Sequence, residues 1–217
     1  MDPLTLLAGL SLGAVGAGAD RLASRWPELG ARHQGPGWRT AALTLAGGIS
    51  GAAVAAHSSL PTWATTVQLV VIGLLLILVA TDLEQHRLPH LALDPLLGLG
   101  VIFAFVNPAH DLVSALIGAA VGLAVLGGLG LIIRGGVAGG DLWLVAPLGL
   151  ILGWPAIFIG LFAAAILSGL VSVLLLALHR VGLRSYIPFG PFLAAGFVVG
   201  LLYEPRFGEV AARLLGG

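Results

Sequence analysis

The chain has 217 residues, of which 58% are hydrophobic and only 9% are charged, and its mean hydropathy is +1.05. Soluble domains average about 25% charged residues, so this composition excludes an ordinary soluble domain and indicates a polytopic membrane protein. The net charge of zero gives no indication of nucleic-acid binding, and the lack of cysteine excludes disulfides and thiolate metal sites.

Eight apolar segments follow one another along the chain. They predict an all-α membrane helix bundle of about eight transmembrane helices, organised as a single domain over residues 1–217. The segments are residues 4–19, 40–56, 64–81, 91–106, 111–133, 142–153, 155–179 and 189–203. The sixth and seventh are separate helices only if Pro155 ends a helix rather than kinking a continuous one.

Arginine is unevenly distributed over the connections between these segments. Eight of the ten arginines lie in the first, third, fifth and seventh connections, and the second, fourth and sixth carry none. The positive-inside rule makes the arginine-bearing side cytoplasmic and places both termini outside. The first cytoplasmic loop, residues 20–40, is short and rich in turn residues, and Asp82 and Asp141 fall on the same cytoplasmic side.

Two of the acidic residues lie directly beside apolar segments in the sequence. Asp82 directly follows the third segment, and Asp141, after Gly139 and Gly140, directly precedes the sixth. A carboxylate at the membrane edge is costly unless it is paired or functional. For Asp141, capping of a helix that begins at Leu142 and a catalytic role with glycines that admit a substrate backbone remain open alternatives.

Two carboxylates on one side of a bundle suggest aspartic catalysis. Close carboxylates share one proton, so one can draw a proton from water while the other polarises the scissile carbonyl, and no cofactor or metal is needed. The remaining acids have structural explanations. Asp20 is expected to pair with Arg21, and Asp94 to pair with His90 or to extend to the membrane interface. Asp111 is expected to cap a helix, whereas Glu84 fits a charged turn or a contact for a basic peptide.

A last motif, Ile187-Pro188-Phe189-Gly190-Pro191-Phe192-Leu193-Ala194, predicts a stiff, non-helical entry into the final helix. With this motif the chain resembles the type IV prepilin peptidases. Asp82 followed by Pro89 is similar to the first catalytic aspartate and its proline in that family, and Gly140-Asp141 to the second. The resemblance covers most of residues 64–200, with the three motifs in the family's order.

The resemblance implies a membrane-embedded aspartic endopeptidase with Asp82 and Asp141 as catalytic residues and a catalytic part at approximately residues 64–203. It would cleave the basic leader from type IV prepilins or pseudopilins on the cytoplasmic face of the bacterial inner membrane. The lipid bilayer is the other expected partner, and no nucleic acid is expected. Substrate binding and active-site support are expected from Gly139, Gly140, Pro89, Pro188, Phe189, Gly190 and Pro191.

The chain departs from the family pattern in several places. Ala138 stands where the motif has its first glycine, Trp143 where many members have lysine, and His90 where Asn or Asp usually follows the proline. The first loop lacks the two cysteine pairs of bifunctional members, so we do not predict N-methylation of the product. A proton-coupled transporter using the same aspartates and an inactive peptidase homologue are the alternatives.

Overall fold

The computed structural model describes residues 3–26, 37–132, 138–180, 182 and 187–215, with side chains described as far as Tyr203. Within these ranges the chain forms eight α-helices and no strand, which confirms the predicted all-α bundle. The helices are α1 (Pro3–Ala23), α2 (Trp38–His57), α3 (Thr62–Gln85), α4 (His90–Val106), α5 (Leu112–Ile132), α6 (Gly139–Leu152), α7 (Ala156–Ala177) and α8 (Gly190–Leu215).

Five of the helices are long and apolar enough to cross a membrane: α1, α2, α3, α5 and α7. The helices α4 and α6 and the part of α8 up to Tyr203 are apolar but shorter. Large apolar side chains cover the outside of the bundle, as at Leu131 and Phe162, which are 86% and 69% exposed. Such a surface is suited to lipid, and the protein is an integral membrane protein.

The helices α1 and α2 form a hairpin whose backbones touch. A methyl group on Gly16 would lie 2.2 Å from the carbonyl oxygen of Leu43, and one on Gly47 would lie 2.2 Å from that of Leu12. Only glycine permits this approach, which is typical of close helix pairs in membranes. The hairpin packs against α3.

The helix α3 is the centre of the bundle and contacts α1, α2, α4 and α8. Its buried residues include Val71, Leu75, Leu78 and Asp82, which recur at intervals of three and four residues. Residues at this spacing share one helical face. The helical period therefore carries Asp82 into the interior at the end of an otherwise apolar stripe.

The helix α6 is short and is buried along nearly its whole length from Leu144 to Leu152. It ends at Gly153, whose φ of +66° is costly for other residues. After Trp154 and Pro155 the chain starts a separate helix at Ala156. Of the two possibilities for Pro155, the structure thus shows the helix break rather than the kink.

Candidate active site

Asp82 lies in the last turn of α3 and is only 4% exposed. The helix ends just beyond it, because His86 adopts a left-handed conformation with φ 54° and donates its backbone N–H to the Asp82 carbonyl oxygen at 2.9 Å. The carboxylate oxygen Oδ2 of Asp82 is buried and has no hydrogen-bond partner among the described residues. A buried carboxylate oxygen without a partner is rare, since it loses its hydration without compensation.

Asp141 lies in the first turn of α6 and is 2% exposed. The helix begins at Gly139, so the predicted start at Leu142 was wrong and Asp141 is the third helical residue rather than the N-cap. Its Oδ2 accepts a hydrogen bond of 3.1 Å from the backbone N–H of Ala138. A carboxylate that reaches back in this way satisfies an otherwise free donor at the helix start, where negative charge is also favoured.

The two carboxylates line one cavity of about 560 Å³. Its lining comes from the end of α3, the start of α4, and the start of α6. The lining residues are Asp82, His86, Arg87, Leu88, Pro89, His90, Leu93, Ala138, Gly139, Gly140, Asp141 and Trp143.

The start of α8 closes the site on the side of Asp82. Pro188 and Phe189 are non-helical, which confirms the predicted non-helical entry only in part. The helix α8 begins at Gly190, so the remainder of the motif, from Gly190 to Ala194, is helical. A methyl group at Gly190 would lie 2.6 Å from Asp82 Oδ2, and the Gly190 backbone makes a favourable contact with the same carboxylate. There is therefore no room for a side chain at position 190, and only glycine fits.

The two glycines before Asp141 have different surroundings. A methyl group on Gly140 would approach the Leu88 side chain to 3.1 Å, whereas one on Gly139 would have no atom within 4 Å. Gly140 thus packs against the connection between α3 and α4. Gly139 leaves open space in the cavity wall.

The protein-family comparison matches residues 69–174 to the model described as "Type IV leader peptidase family". The chain belongs to this family. The match covers about half of the chain and includes both aspartates of the cavity.

Three curated proteins named "Prepilin leader peptidase/N-methyltransferase" are similar to this chain. The Bacillus subtilis protein is 31% identical over 134 residues, covering 62% of this chain and 54% of the relative. The Aeromonas salmonicida protein is 33% identical over 155 residues, covering 69% and 53%. The Burkholderia pseudomallei protein is 35% identical over 148 residues, covering 66% and 47%.

The alignments span about half the length of these curated relatives. No solved structure matches the chain significantly. The match to the leader peptidase family model stops before residues 187–194, so the contact between Gly190 and Asp82 is an independent link between the last motif and the site.

The sequence-based predictions for the leader peptidase site fall into two groups. Asp82, Pro89, Gly139, Gly140 and Asp141 line one cavity, and Gly190 contacts Asp82. The other three predicted site residues of the last motif do not line this cavity: Pro188 and Phe189 precede α8, and Pro191 lines an apolar groove formed by α2, α3 and α8.

Four polar or aromatic residues of the rim were not predicted as part of the leader peptidase site. His86 and Arg87 fit a solvated turn in the sequence, and His90 and Trp143 were noted only as departures from the family pattern. His90 and Trp143 form an edge-on pair with ring centroids 5.7 Å apart. Their pairing across 53 residues depends on the packing of α4 against α6, which the sequence does not reveal.

The acidic residues outside the cavity follow the sequence predictions only in part. His90 Nδ1 lies 3.5 Å from Asp94 Oδ1, and Asp111 Oδ1 accepts the Ser114 backbone N–H at 2.9 Å, as predicted. Asp20, however, pairs with Arg39 instead of Arg21, and Arg39 also binds Glu84. Glu84 is therefore held inside the protein rather than in a solvated turn.

Proposed function

We propose that the protein is a leader peptidase that cleaves prepilins or pseudopilins with Asp82 and Asp141 as an aspartic dyad. The observation that carries the proposal is the convergence of two buried carboxylates, from two different helices, on one cavity. The name of the relatives supplies the substrate class. The alignments cover about half the length of those proteins, so the peptidase activity in their name is proposed for this chain.

The chemistry follows from two buried carboxylates that share one cavity. They hold one proton between them, because two adjacent negative charges in a buried site are costly. The ionised carboxylate takes a proton from water, the water oxygen bonds to the scissile carbonyl carbon, and the protonated carboxyl donates its proton to the carbonyl oxygen. The C–N bond then breaks as the carboxyl that took the water proton donates it to the leaving nitrogen. The other carboxylate takes a proton back from a hydroxyl group of the tetrahedral intermediate, which returns the dyad to its starting state.

The peptide reaches the dyad along the wall formed by Gly139. Its missing side chain allows an extended backbone to come within hydrogen-bonding range of the carboxylates. Pro89 starts the α4 side of the cavity and Gly190 fixes the position of the Asp82 carboxylate. Pro188 and Phe189 set the entry into α8, and Pro191 turns toward the apolar groove.

The proposal places the cavity on the cytoplasmic side of the bacterial inner membrane, where a basic leader would lie. The arginine distribution supports this side. Methyl transfer is not part of the proposal. It appears in the names of the relatives, but the chain has none of the cysteines that the bifunctional pattern carries in its first loop.

Cleavage of a co-expressed prepilin with a short Arg/Lys-rich leader tests the proposal. The wild-type protein should shift the prepilin to the mature size on a gel, and the Asp141→Asn variant should not, although it reaches the membrane at the same level. The control is Asp111→Asn, which keeps a good N-cap and should cleave normally. Full activity of Asp141→Asn, or no cleavage of several prepilins by folded wild-type protein, would refute the proposal.

A further inference from the structure

An apolar groove runs along α3 between α2 and α8, outside the catalytic cavity. Its residues recur at helical spacing on all three helices. They are Leu43, Ala46, Ile49, Ser50 and Ala53 on α2, Ile72, Leu75, Leu76 and Val79 on α3, and Pro191, Ala194, Ala195, Val198 and Leu202 on α8. We refer to this set as the α2–α8 groove, and its cavity measures about 290 Å³.

One end of the groove adjoins the catalytic site. Val79 lies one turn before Asp82 on α3, and Pro191 directly follows Gly190, which touches the Asp82 carboxylate. A ligand that fills the whole length of the groove therefore has one end next to Asp82. A lipid tail in the groove would gain nothing from this arrangement, whereas a peptide that continues into the catalytic cavity would.

The other end continues toward the far side of the bundle. A second cavity of about 360 Å³ shares Leu202 with the groove and is lined by Gln68 and Ser58. From Gln68 in the second cavity to Val79 in the groove, the helix α3 advances about 17 Å, at about 1.5 Å per residue. The two cavities together thus follow α3 over about half of the thickness of a hydrocarbon core.

The groove walls suit a helix. Ala46, Ser50 and Ala53 on α2 face Ala194 and Ala195 on α8, and side chains of this size let a third backbone approach closely. Gln68, which is 3% exposed, adds a polar side chain to the cavity at the far end. An apolar peptide helix with a polar outer end complements both features.

We infer that the α2–α8 groove is the docking surface for the apolar, membrane-spanning helix of the substrate, an inference that rests on the proposed leader-peptidase function. The groove holds the helix parallel to α3. The segment that precedes the helix then passes over Pro191 and Gly190 into the catalytic cavity, where its peptide bond meets Asp82 and Asp141.

Site-specific photo-cross-linking tests the docking without requiring cleavage. A benzophenone amino acid replaces Ala46 or Ala195 in the Asp141→Asn protein, with a co-expressed prepilin that retains its apolar helix. The control position is Ala165, an exposed alanine in the middle of α7. We expect cross-links to the prepilin from positions 46 and 195 and none from 165. Cross-links to lipid alone at 46 and 195, or equal yields at all three positions, would overturn the inference.

Kinetics of groove-filling variants give a second measurement. Ala195→Trp should raise the KM for a prepilin with its apolar helix by about tenfold, since it blocks binding outside the reacting atoms. It should leave cleavage of a short leader peptide without the helix unchanged. Ala165→Trp should change neither. An equal effect of Ala195→Trp on both substrates would mean that it disturbs the dyad and would contradict docking in the groove.

The two measurements separate this inference from the proposed function. Cleavage by the wild-type protein without cross-links from the groove would leave the peptidase standing and remove the docking site. Cross-links without cleavage would leave the docking site standing and remove the peptidase.

Discussion

Asp82 and Asp141 are held by different backbone arrangements. Asp82 extends the buried stripe of α3, whereas Asp141 depends on the turn at Ala138, whose backbone N–H it binds. Ala138 has φ −81° and ψ 152°, an extended conformation that any residue adopts. Alanine in place of the usual first glycine therefore leaves the position of Asp141 intact, which weakens the case for an inactive homologue.

Gly190 is the residue whose replacement should affect the dyad most selectively. In Gly190→Ala the new methyl group would lie 2.6 Å from Asp82 Oδ2 and displace the carboxylate. We expect kcat to fall about 10- to 100-fold, because small displacements of reacting groups have effects of this size. The measurement is cleavage rate at saturating prepilin, with thermal stability in detergent measured alongside.

Gly98→Ala is the matched control for Gly190→Ala. Gly98 lies inside α4, and a methyl group there would have no atom within 4 Å. It should leave the rate unchanged and, if anything, stabilise the helix. Equal rates for Gly190→Ala and the wild type would show that Gly190 does not set the position of Asp82.

At the level of elements, Arg39 connects three helices near the site. From the first turn of α2 it binds Asp20 near the end of α1 and Glu84 in the last turn of α3. Thr40 also donates to Asp20 Oδ2 at 2.5 Å. Because Glu84 follows Asp82 by two residues, this network fixes the end of α3 that carries the dyad residue.

Arg39→Met should destabilise the bundle. It leaves the carboxylates of Asp20 and Glu84, whose side chains are only 5% and 9% exposed, without their shared cation. Loss of one partner of a buried ion pair costs about 3 kcal/mol, which for a domain of this size corresponds to a fall of about 5 °C or more in Tm. The measurement is thermal unfolding in detergent.

Arg21→Met provides the comparison for Arg39→Met, because Arg21 is exposed on α1. It should leave the Tm unchanged within about 1 °C, as expected for an exposed charge. A Tm loss for Arg21→Met as large as that for Arg39→Met would show that the Arg39 network does not account for the stability.

The order and number of the helices could be predicted from hydropathy, because each apolar run must satisfy its backbone hydrogen bonds within one helix. The ends were less predictable. Gly139 and Gly140 suggested a break before α6, yet they form its first turn, with Asp141 satisfying a free N–H. The partner of Asp20 was missed because Arg39 lies 19 residues away and approaches only when the α1–α2 hairpin closes.

At the scale of the whole molecule, the dyad, the Arg39 network and the start of α8 all lie at one end of the bundle. The opposite end has its own contacts, where the His110 ring bonds the Ile151 carbonyl oxygen at 2.8 Å and Ser114 bonds the backbone of Trp154. Hydropathy and arginine placement predict this two-ended arrangement. They do not predict the α2–α8 groove, which forms where α2 and α8 both pack against α3.

Cysteine labelling tests the orientation of the two ends. The chain has no cysteine, so single substitutions need no background correction. With the dyad end in the cytoplasm, Ser59→Cys between α2 and α3 should react with a membrane-impermeant maleimide in cells whose outer membrane is permeable. Arg25→Cys, exposed at the dyad end, should react only after the inner membrane is opened. The reverse labelling pattern would place the dyad outside the cytoplasm.

The most direct test of the central claim is the cleavage rate of Asp82→Asn, Asp141→Asn and the double variant, compared with wild-type protein in the same membranes. Two carboxylates that act as a unit should each be indispensable. Each single variant should lose at least about 10³-fold in kcat, and the double variant should be no slower than either. Substantial activity in one single variant, or losses that multiply in the double variant, would contradict a shared dyad of Asp82 and Asp141.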